Sequence, residues 1–402
     1  MSDFTELSVP SMTRRGFMAV AGAAAAMTLV GCHSMSTQSL ASLPRKKAIY
    51  KKLFGTMPDG TKIYQYTLTN ANGMVLQMIS YGARIQRIMV PDAKGNIGDV
   101  VLGYENLEGY MSKADPYFGA TIGRYANRIA RGTFTLDGKT YHIPANDGPN
   151  ALHGGPNAFD RQAWEASEVS ELGEPGLRFR MVSPAMSNGF PGNLVVDATH
   201  VLTANNEIVI HYRAATDAPT VLNLTNHAYF NLNGPGTDVL NHMVTINANK
   251  YTPTDNEFIP TGKNLPVAGT PFDFRKPVEL GSRIKPFPTG SKANFDLFPY
   301  GYDNNWCLNN HGSLKAIAAR VACPANGRVL ECRTTQPGVQ FYTGNFLNGT
   351  IDGIGGKYPV HGALTLETQH YPDSPNEPAF PSTVLRPGQK FYQSTHYKFY
   401  TM

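Results

Sequence analysis

An acidic residue lies in the middle of a strand-like segment toward the C-terminal end of the chain. In residues 361–376, leucines alternate with polar residues, and Glu367 is one of the polar set. A period of two places its carboxylate on one face of a β-strand, opposite the leucines. Burial of a carboxylate there costs free energy unless the group is solvated or used in chemistry. Glu367 is therefore a candidate general base, with an exposed strand carboxylate as the alternative.

A second segment repeats this alternation around a histidine. In residues 221–232 the apolar side chains fall on one side, and the other side carries His227 and Tyr229. An imidazole can accept and donate protons at neutral pH, as a positioned carboxylate can. We predict that the two polar faces meet in a cleft, with Glu367 and His227 as an acid–base pair. The alternative for His227 is a core histidine bonded to backbone.

Further polar residues stand beside turn or strand signals in four other segments. They are Asn127, Arg128, His153, Asp303 and Gln340. Binding groups are commonly carried by loops on a rigid sheet, so these residues are candidates for ligand binding. The structural alternatives are a solvated ion pair for the arginine, a turn cap for the histidine and an Asx-turn for the aspartate.

Several histidines together with a glutamate also raise the question of a zinc site. His153, His227 and His370 are the candidates beside Glu367, but none of them forms a closely spaced pair of the His-x-x-x-His kind. Zinc sites usually contain such a pair. We therefore predict that no residue of this set is a metal ligand.

The elements that must position these residues are predicted to be strands. The chain has 402 residues, 41% of them hydrophobic, with 39 glycines and 29 prolines. This composition allows a large core and argues against a mostly helical protein. Short alternating segments separated by turn signals are typical of an antiparallel sandwich or barrel. The predicted strands are 62–68, 75–78, 85–90, 133–136, 139–143, 177–182, 194–202, 207–214, 239–248 and 338–342, and the predicted loops are 146–160, 186–193 and 253–277.

The pattern continues without an evident linker to the end of the chain. We therefore predict that residues 50–402 form a single large antiparallel all-β domain. The formal net charge is only +5, and no cluster of lysines and arginines resembles a binding patch. These features argue against a nucleic-acid partner.

The N-terminal segment resembles a bacterial export signal. Arg14 and Arg15 form a twin-arginine-like motif, and the apolar run 17–30 is too short to span a bilayer comfortably. The run ends in a lipoprotein-like box at Cys32. We expect residues 1–31 to be a signal peptide, Cys32 to be lipidated and residues 32–49 to be a tether. The protein would then be exported to the periplasm and would meet the membrane only through this anchor. An ordinary signal peptide with an incidental cysteine is the alternative.

Three more cysteines lie in the second half of the chain, at Cys307, Cys323 and Cys332. The last two flank a predicted Asn326-Gly327 hairpin turn. With a two-residue turn Cys323 faces Leu330, so Cys332 is a diagonal neighbour and is usually too distant for an unstrained disulfide. We predict free thiols.

Long segments of the sequence resemble the aldose 1-epimerase (galactose mutarotase) family. They are 117–129, 152–155, 223–232, 251–255, 270–275, 336–347 and 366–376, and the likeness extends in order from about residue 63 to 397. The resemblance implies a twisted, many-stranded β-supersandwich with an open sugar cleft. It also implies interconversion of the α and β anomers of free aldoses, with no cofactor.

The resemblance assigns roles residue by residue. Glu367 matches the general base and His227 the general acid, while His153 matches a second histidine at the reacting centre. The residues that match hydroxyl-binding groups are Asn127, Arg128, Asp303 and Gln340, and Tyr229 belongs with the substrate-binding set. Ala228 departs from the pattern, in which serine is frequent, and this affects a minor polar contact.

We hypothesise a mutarotase acting on free hexoses, as a monomer or weak dimer, with an acid and an imidazole on opposite sides of the sugar ring. One alternative is a non-catalytic sugar-binding lipoprotein with the same cleft. A sugar-phosphate epimerase is another, and it would need extra basic groups near the cleft. A glycosidase is disfavoured because its mechanisms usually use two carboxylates.

Overall fold

The computed structural model of this protein describes residues 46–285 and 300–402. Within these ranges the chain forms β-strands, short 3-10 turns and one α-helix, α1 (Leu107–Met111). None of the helical segments in the described part of the chain is long and apolar enough to cross a membrane. The predicted signal peptide (1–31), Cys32 and most of the predicted tether lie outside the described residues.

The strands are numbered along the chain. The first fifteen are β1 (Ala48–Thr56), β2 (Lys62–Thr69), β3 (Val75–Ile79), β4 (Arg84–Pro91), β5 (Ile97–Asp99), β6 (Thr121–Ile122), β7 (Arg128–Ile129), β8 (Thr133–Leu136), β9 (Lys139–His142), β10 (Ala151–Leu152), β11 (Glu165–Glu171), β12 (Glu174–Ser183), β13 (Leu194–Leu202), β14 (Glu207–Thr216) and β15 (Thr220–Val221). The others are β16 (Thr225–Asn226), β17 (Tyr229–Phe230), β18 (Met243–Ile246), β19 (Ala248–Thr252), β20 (Leu265–Pro266), β21 (Val278–Glu279), β22 (Asp303–Leu308), β23 (Ala319–Ala322), β24 (Arg328–Thr334), β25 (Gly338–Tyr342), β26 (Asp352–Gly353), β27 (Gly356–Lys357), β28 (Leu364–Gln369), β29 (Val384–Leu385) and β30 (Phe391–Thr401).

Three large sheets make up the fold. One contains β1 to β5 in chain order, a nine-stranded sheet has the order β11-β12-β13-β14-β30-β24-β23-β18-β21, and a six-stranded sheet has the order β17-β28-β25-β22-β19-β20. All strand pairs within these sheets are antiparallel. The predicted antiparallel all-β fold class is confirmed.

One hydrophobic core joins the three sheets. Leu76 of β3, Ile210 of β14 and Leu366 of β28 belong to a single cluster of buried side chains. Burial of a leucine or isoleucine side chain contributes about 1.5–3 kcal/mol relative to exposure. The inward residues of each sheet therefore stabilise the other two, and the six-stranded sheet that carries Glu367 is held rigidly.

Most predicted strands are confirmed to within about two residues. In the clearest hairpin, β8 and β9 flank Asp137 at φ +50° and Gly138 at φ +76°. Both residues have a left-handed backbone conformation, as a two-residue type I′ hairpin turn requires. At the N-terminal edge, β1 begins at Ala48, so the first strand overlaps the last two residues of the predicted tether.

Two predicted elements differ from the structure. The strand predicted over 239–248 is β18 followed by the first residue of β19, and it starts only at Met243 because the preceding residues form a turn in which the His242 N–H donates to the Val239 carbonyl. The alternating segment 221–232 is three short strands rather than one. Its apolar side nevertheless lies in the core, as the period-two pattern predicted.

The cysteine prediction is correct in outcome and wrong in register. Cys323 and Cys332 are buried free thiols. The Cys323 N–H donates to the Arg328 carbonyl, and Cys332 pairs with Ala319. These two contacts show that the loop between the strands is longer than two residues. The prediction that Cys323 faces Leu330 is therefore wrong.

Removal of the Leu366 side chain tests the shared core. Leu366 is fully buried, so Leu366→Ala should lower the free energy of unfolding by about 2–5 kcal/mol in urea titrations. The matched control is Leu265→Ala, because Leu265 is 41% exposed and should change stability by no more than about 0.5 kcal/mol. Equal losses in the two variants would contradict the packing described above.

Candidate active site

Three neighbouring strands of the six-stranded sheet form one wall of a cleft. Glu367 on β28 lies directly opposite Gln340 on β25, and β25 also pairs with β22, which begins at Asp303. Gln340 Nε2 donates to Asp303 Oδ1 at 2.6 Å. Antiparallel pairing places these side chains on one face, so three residues far apart in sequence become one polar row.

The segment with His227 closes on this row from the side. Tyr229 on β17 pairs with Thr365 on β28, and His227 lies two residues before Tyr229. The rings of His227 and Tyr229 stack with centroids 5.1 Å apart. This pairing places His227 beside Glu367, as the alternating patterns had predicted.

A short ladder supplies the opposite part of the cleft. Arg128 on β7 pairs with Leu152 on β10, so Asn127 and His153 are brought together at its end. The Asn127 N–H donates to His153 Nδ1 at 3.2 Å. The loop comes very close to another backbone segment here, because a Cβ on Gly154 would lie 2.3 Å from the Gly123 carbonyl oxygen. Glycine at position 154 is therefore a steric requirement.

The cleft has a volume of about 200 Å³. It is lined by Ala114, Pro116, Tyr117, Asn127, Arg128, Leu152, His153, His227, Tyr229, Asp303, Tyr342, Phe346, Leu347, Ile351 and Glu367. All predicted site residues outside the leader line it except Gln340, which bonds Asp303 from within the sheet. The lining combines a small set of polar side chains with apolar and aromatic ones, as small-molecule sites generally do.

Within the cleft, a carboxyl group and an imidazole are in direct contact at Glu367 and His227. Their Oε1 and Nε2 atoms are 3.5 Å apart. The expectation that the two groups lie on opposite sides of a sugar ring is therefore wrong, since they are side by side. The hydroxyl and ring oxygens of a hemiacetal are bonded to the same carbon, so two neighbouring groups can serve both oxygens.

Burial sets the protonation of this pair. Glu367 is 2% exposed, so the alternative of an exposed strand carboxylate is wrong. Desolvation raises the pKa of Glu367 to about 8, and the Asp303 carboxylate adds to the rise. Desolvation lowers the pKa of His227 to about 3. Since burial disfavours the charged form of each group, the pair holds one proton at neutral pH, on the carboxyl group.

Glu367 accepts one hydrogen bond from its own strand, and each member of the pair has one buried polar atom without a partner among the described residues. Thr365 Oγ1 donates to Glu367 Oε1 at 3.0 Å. Glu367 Oε2 and His227 Nδ1 are buried and have no hydrogen-bond partner among the described residues. Buried polar atoms are normally paired, so these two atoms could accept or donate hydrogen bonds to a polar ligand.

His153 faces the cleft as a hydrogen-bond donor. Its Nδ1 accepts the Asn127 N–H, and burial keeps its pKa well below the usual value, so the ring is neutral. The single ring proton must then be on Nε2. His153, His227 and Glu367 lie close enough to hold a metal ion, with one ligand atom of each within 4.8 Å of the others. In this tautomer, however, neither nitrogen of His153 has a free lone pair, so the residues present do not fit a metal.

Arg128 and Asp303 form the charged end of the cleft. Arg128 Nε donates to Asp147 Oδ2 at 2.7 Å, and its Nη1 lies 3.8 Å from Asp303 Oδ2. Burial raises the pKa of Asp303, while Arg128 opposes that rise. The arginine is indeed ion-paired, as in the structural alternative, but its side chain is only 6% exposed. Asp303 begins a strand and accepts from Gln340, so the Asx-turn alternative is wrong.

Sequence reasoning did not single out Tyr117 or Asp147, which contact predicted site residues. Tyr117 packs its ring against those of His153 and His227, at centroid distances of 4.7 and 5.8 Å. Asp147 holds Arg128 from a predicted loop. Neither lies in an alternating segment, although Tyr117 opens one of the segments that carry the family resemblance.

Comparison with known proteins gives one family. A family model described as aldose 1-epimerase matches residues 64–398. A galactose mutarotase from Rattus norvegicus is 45% identical over 88% of this chain and 98% of its own length. An aldose 1-epimerase from Escherichia coli K12 is 38% identical over 85% of this chain and 96% of its own.

Solved structures agree with this result. The crystal structure of a galactose 1-epimerase from Lactobacillus acidophilus has a TM-score of 0.75 at 26% identity, covering 89% of this chain and 99% of that one. A GalM/aldose epimerase homologue from C. elegans has a TM-score of 0.72 at 31% identity, covering 82% and 96%. The buried acid–base pair thus lies in a fold and sequence shared along nearly the whole length, and the chain belongs to the aldose 1-epimerase family.

Proposed function

We propose that this protein is a mutarotase that interconverts the α and β anomers of free aldoses, with Glu367 and His227 as its proton-transfer pair. The observation that supports this proposal most directly is the 3.5 Å contact between these two buried groups in a cleft of about 200 Å³. Names of the relatives support the reaction class, since they are called galactose mutarotase and aldose 1-epimerase.

One shared proton is sufficient for the whole reaction. In the productive form Glu367 is ionised and His227 protonated, a state reached by moving the proton across the contact. Glu367 takes the C1 hydroxyl proton while His227 donates its proton to the ring oxygen, and the bond between C1 and that oxygen breaks. After rotation about the C1–C2 bond, the oxygen attacks the other carbonyl face and both transfers reverse. The pair ends in its starting state.

The remaining polar groups hold the sugar. The Arg128 guanidinium and the Asp303 carboxylate offer donors and acceptors to neighbouring hydroxyls by charge-assisted hydrogen bonds. His153 offers the Nε2–H. Arg128 cannot act as the acid because a guanidinium keeps its proton in this range. Apolar and aromatic side chains such as Leu347 and Phe346 also line the cleft and suit the C–H faces of a pyranose.

The two alternatives are weaker on specific grounds. Among the described residues that line the cleft, Arg128 is the one lysine or arginine, and it already faces Asp147 and Asp303. A sugar phosphate would meet these carboxylates with no additional cation. A non-catalytic sugar-binding protein would not need an acid and an imidazole in direct contact.

Export by a lipid-anchored route remains part of the proposal. It is supported by the order of the twin-arginine-like motif, the apolar run 17–30 and the box at Cys32. A periplasmic protein anchored in this way would act on sugars before they are taken up by the cell.

Loss of either member of the pair tests the assignment. Glu367→Gln and His227→Asn should each lower the enzymatic rate about 10²–10⁴-fold, measured by polarimetry on freshly dissolved α-D-glucose and α-D-galactose. The double variant should be little worse than the single ones, because the residues act as a unit. Glu168→Gln, a matched change on an exposed strand residue, should have the wild-type rate. Near-normal rates in both site variants would refute the pair, and sugar binding without turnover in the wild type would favour the non-catalytic alternative.

The pH dependence should report the shared proton. Above the Glu367 pKa of about 8 the pair loses its only proton, so His227 has none to donate and kcat/KM should fall. Asp303→Asn removes a negative charge that raises this pKa, so the alkaline limb should move to lower pH. The measurement is polarimetry from pH 6 to about 9.5, with the uncatalysed rate subtracted at each pH. A rate that stays level across this range, with no alkaline limb, would contradict the assignment.

Cys32→Ser tests the anchor. The wild-type protein should incorporate labelled fatty acid and fractionate with membranes. The serine variant should do neither, because it lacks the thiol that would carry the lipid. Cys307→Ser is the matched control and should behave as wild type. Equal labelling of wild type and Cys32→Ser would reject the lipoprotein proposal.

A further inference from the structure

A half-buried aromatic residue lies against the arginine of the cleft. The ring centroid of Phe258 is 4.7 Å from the guanidinium carbon of Arg128. An arginine over an aromatic face at this distance is held by a cation–π interaction, which is stronger when the pair is shielded from water. Phe258 itself is not among the residues that line the cleft. It therefore contacts the arginine of the cleft without lining the cleft itself.

The backbone at Phe258 is strained. Its φ is +61°, and a positive φ is a genuine outlier for a bulky residue. Such strain persists where the surroundings impose it, and it is concentrated at functional sites. Here the Asp255 carboxylate accepts the backbone N–H groups of Glu257 and Ile259, at 2.8 and 3.0 Å. This tight turn fixes the direction in which the phenyl ring leaves the loop.

Phe258 is one of several groups that fix the guanidinium. Asp147 accepts a hydrogen bond from Nε and Asp303 Oδ2 lies 3.8 Å from Nη1, so both carboxylates meet nitrogens of the planar guanidinium. A ring against the guanidinium carbon restricts rotation of that plane, which the carboxylates alone do not prevent. A planar fork in a fixed orientation loses less entropy when it binds sugar hydroxyls.

We propose that Phe258 is a positioning residue for substrate binding, which acts by holding the Arg128 guanidinium in its sugar-binding orientation. The inference rests on the proposed mutarotase function at this cleft. It assigns a role in recognition to the 253–261 loop, whose ends are joined by the Thr261 N–H donating to the Pro253 carbonyl.

The test compares variants that keep or remove the aromatic face. Phe258→Leu keeps apolar bulk and should raise KM for D-galactose about three- to tenfold with kcat within about twofold of wild type. Phe258→Tyr keeps the ring and should restore the wild-type KM. Tyr392→Leu removes an aromatic ring from over Arg213 in the nine-stranded sheet and should leave KM unchanged. Phe258→Met replaces the leucine variant if that variant does not fold.

A double-mutant cycle separates positioning from mere packing. In an Arg128→Lys background, which lacks the planar guanidinium, Phe258→Leu should have little further effect on KM. A wild-type KM for Phe258→Leu, or the same fold increase in both backgrounds, would overturn the proposal. If the wild type does not accelerate mutarotation, the proposed function fails, and calorimetric Kd values for D-galactose across the same variants still decide the role of Phe258.

Discussion

The structure depends on one contact, that of a buried carboxyl group with a buried imidazole. Glu367 and His227 are each almost fully shielded from solvent, and their nearest polar atoms are 3.5 Å apart. Taking two ionisable groups out of water is unfavourable unless they neutralise one another or share a proton. The shared proton resolves that conflict, and the same arrangement provides an acid and a base in neighbouring positions.

Several strand pairings around the cleft hold this contact in place. The pairing of β17 with β28 fixes the distance between the histidine and the glutamate, while β25 and β22 place Gln340 and Asp303 along the same face. The core that unites three sheets supports these strands from below. Loops contribute the other half of the cleft, where the backbone of Asn127 sets the tautomer of His153. Strand β28 thus carries the proposed base, the short connection between β16 and β17 carries the proposed acid, and Asn127 and His153 flank the short ladder of β7 and β10.

The sequence was sufficient to predict the fold class and to select residues that meet in one cleft. Period-two alternation placed Glu367 and His227 on polar faces, because a strand has two sides whatever its partner. The same pattern could not show that residues 221–232 are three short strands, since breaks depend on what each piece pairs with. It also could not show that the acid and the base lie side by side. The cysteine register failed for a related reason, because the length of the hairpin loop is set by backbone geometry as well as by an Asn-Gly pair.

Contacts between segments were the least predictable features. Tyr117, Asp147 and Phe258 reach the site from loops without periodic patterning, and their roles follow from distances to His153 and Arg128. Asp147 and Phe258 lie beside turn signals, and Tyr117 opens a segment that carries the family resemblance, but none of the three has a pattern that predicts its contacts. Burial likewise could not be inferred for Arg128, whose charge alone made a solvated ion pair the ordinary expectation.

The most direct test of the account is the titration of the Glu367 carboxyl group itself. Carbon-13 NMR of protein labelled at the glutamate side-chain carboxyl, assigned by difference with Glu367→Gln, would follow this proton without reference to catalysis. The account predicts a single step near the pKa of about 8, with the His227 ring neutral throughout the neutral range. A Glu367 titration in the ordinary range of exposed glutamates, around 4.3, would contradict it.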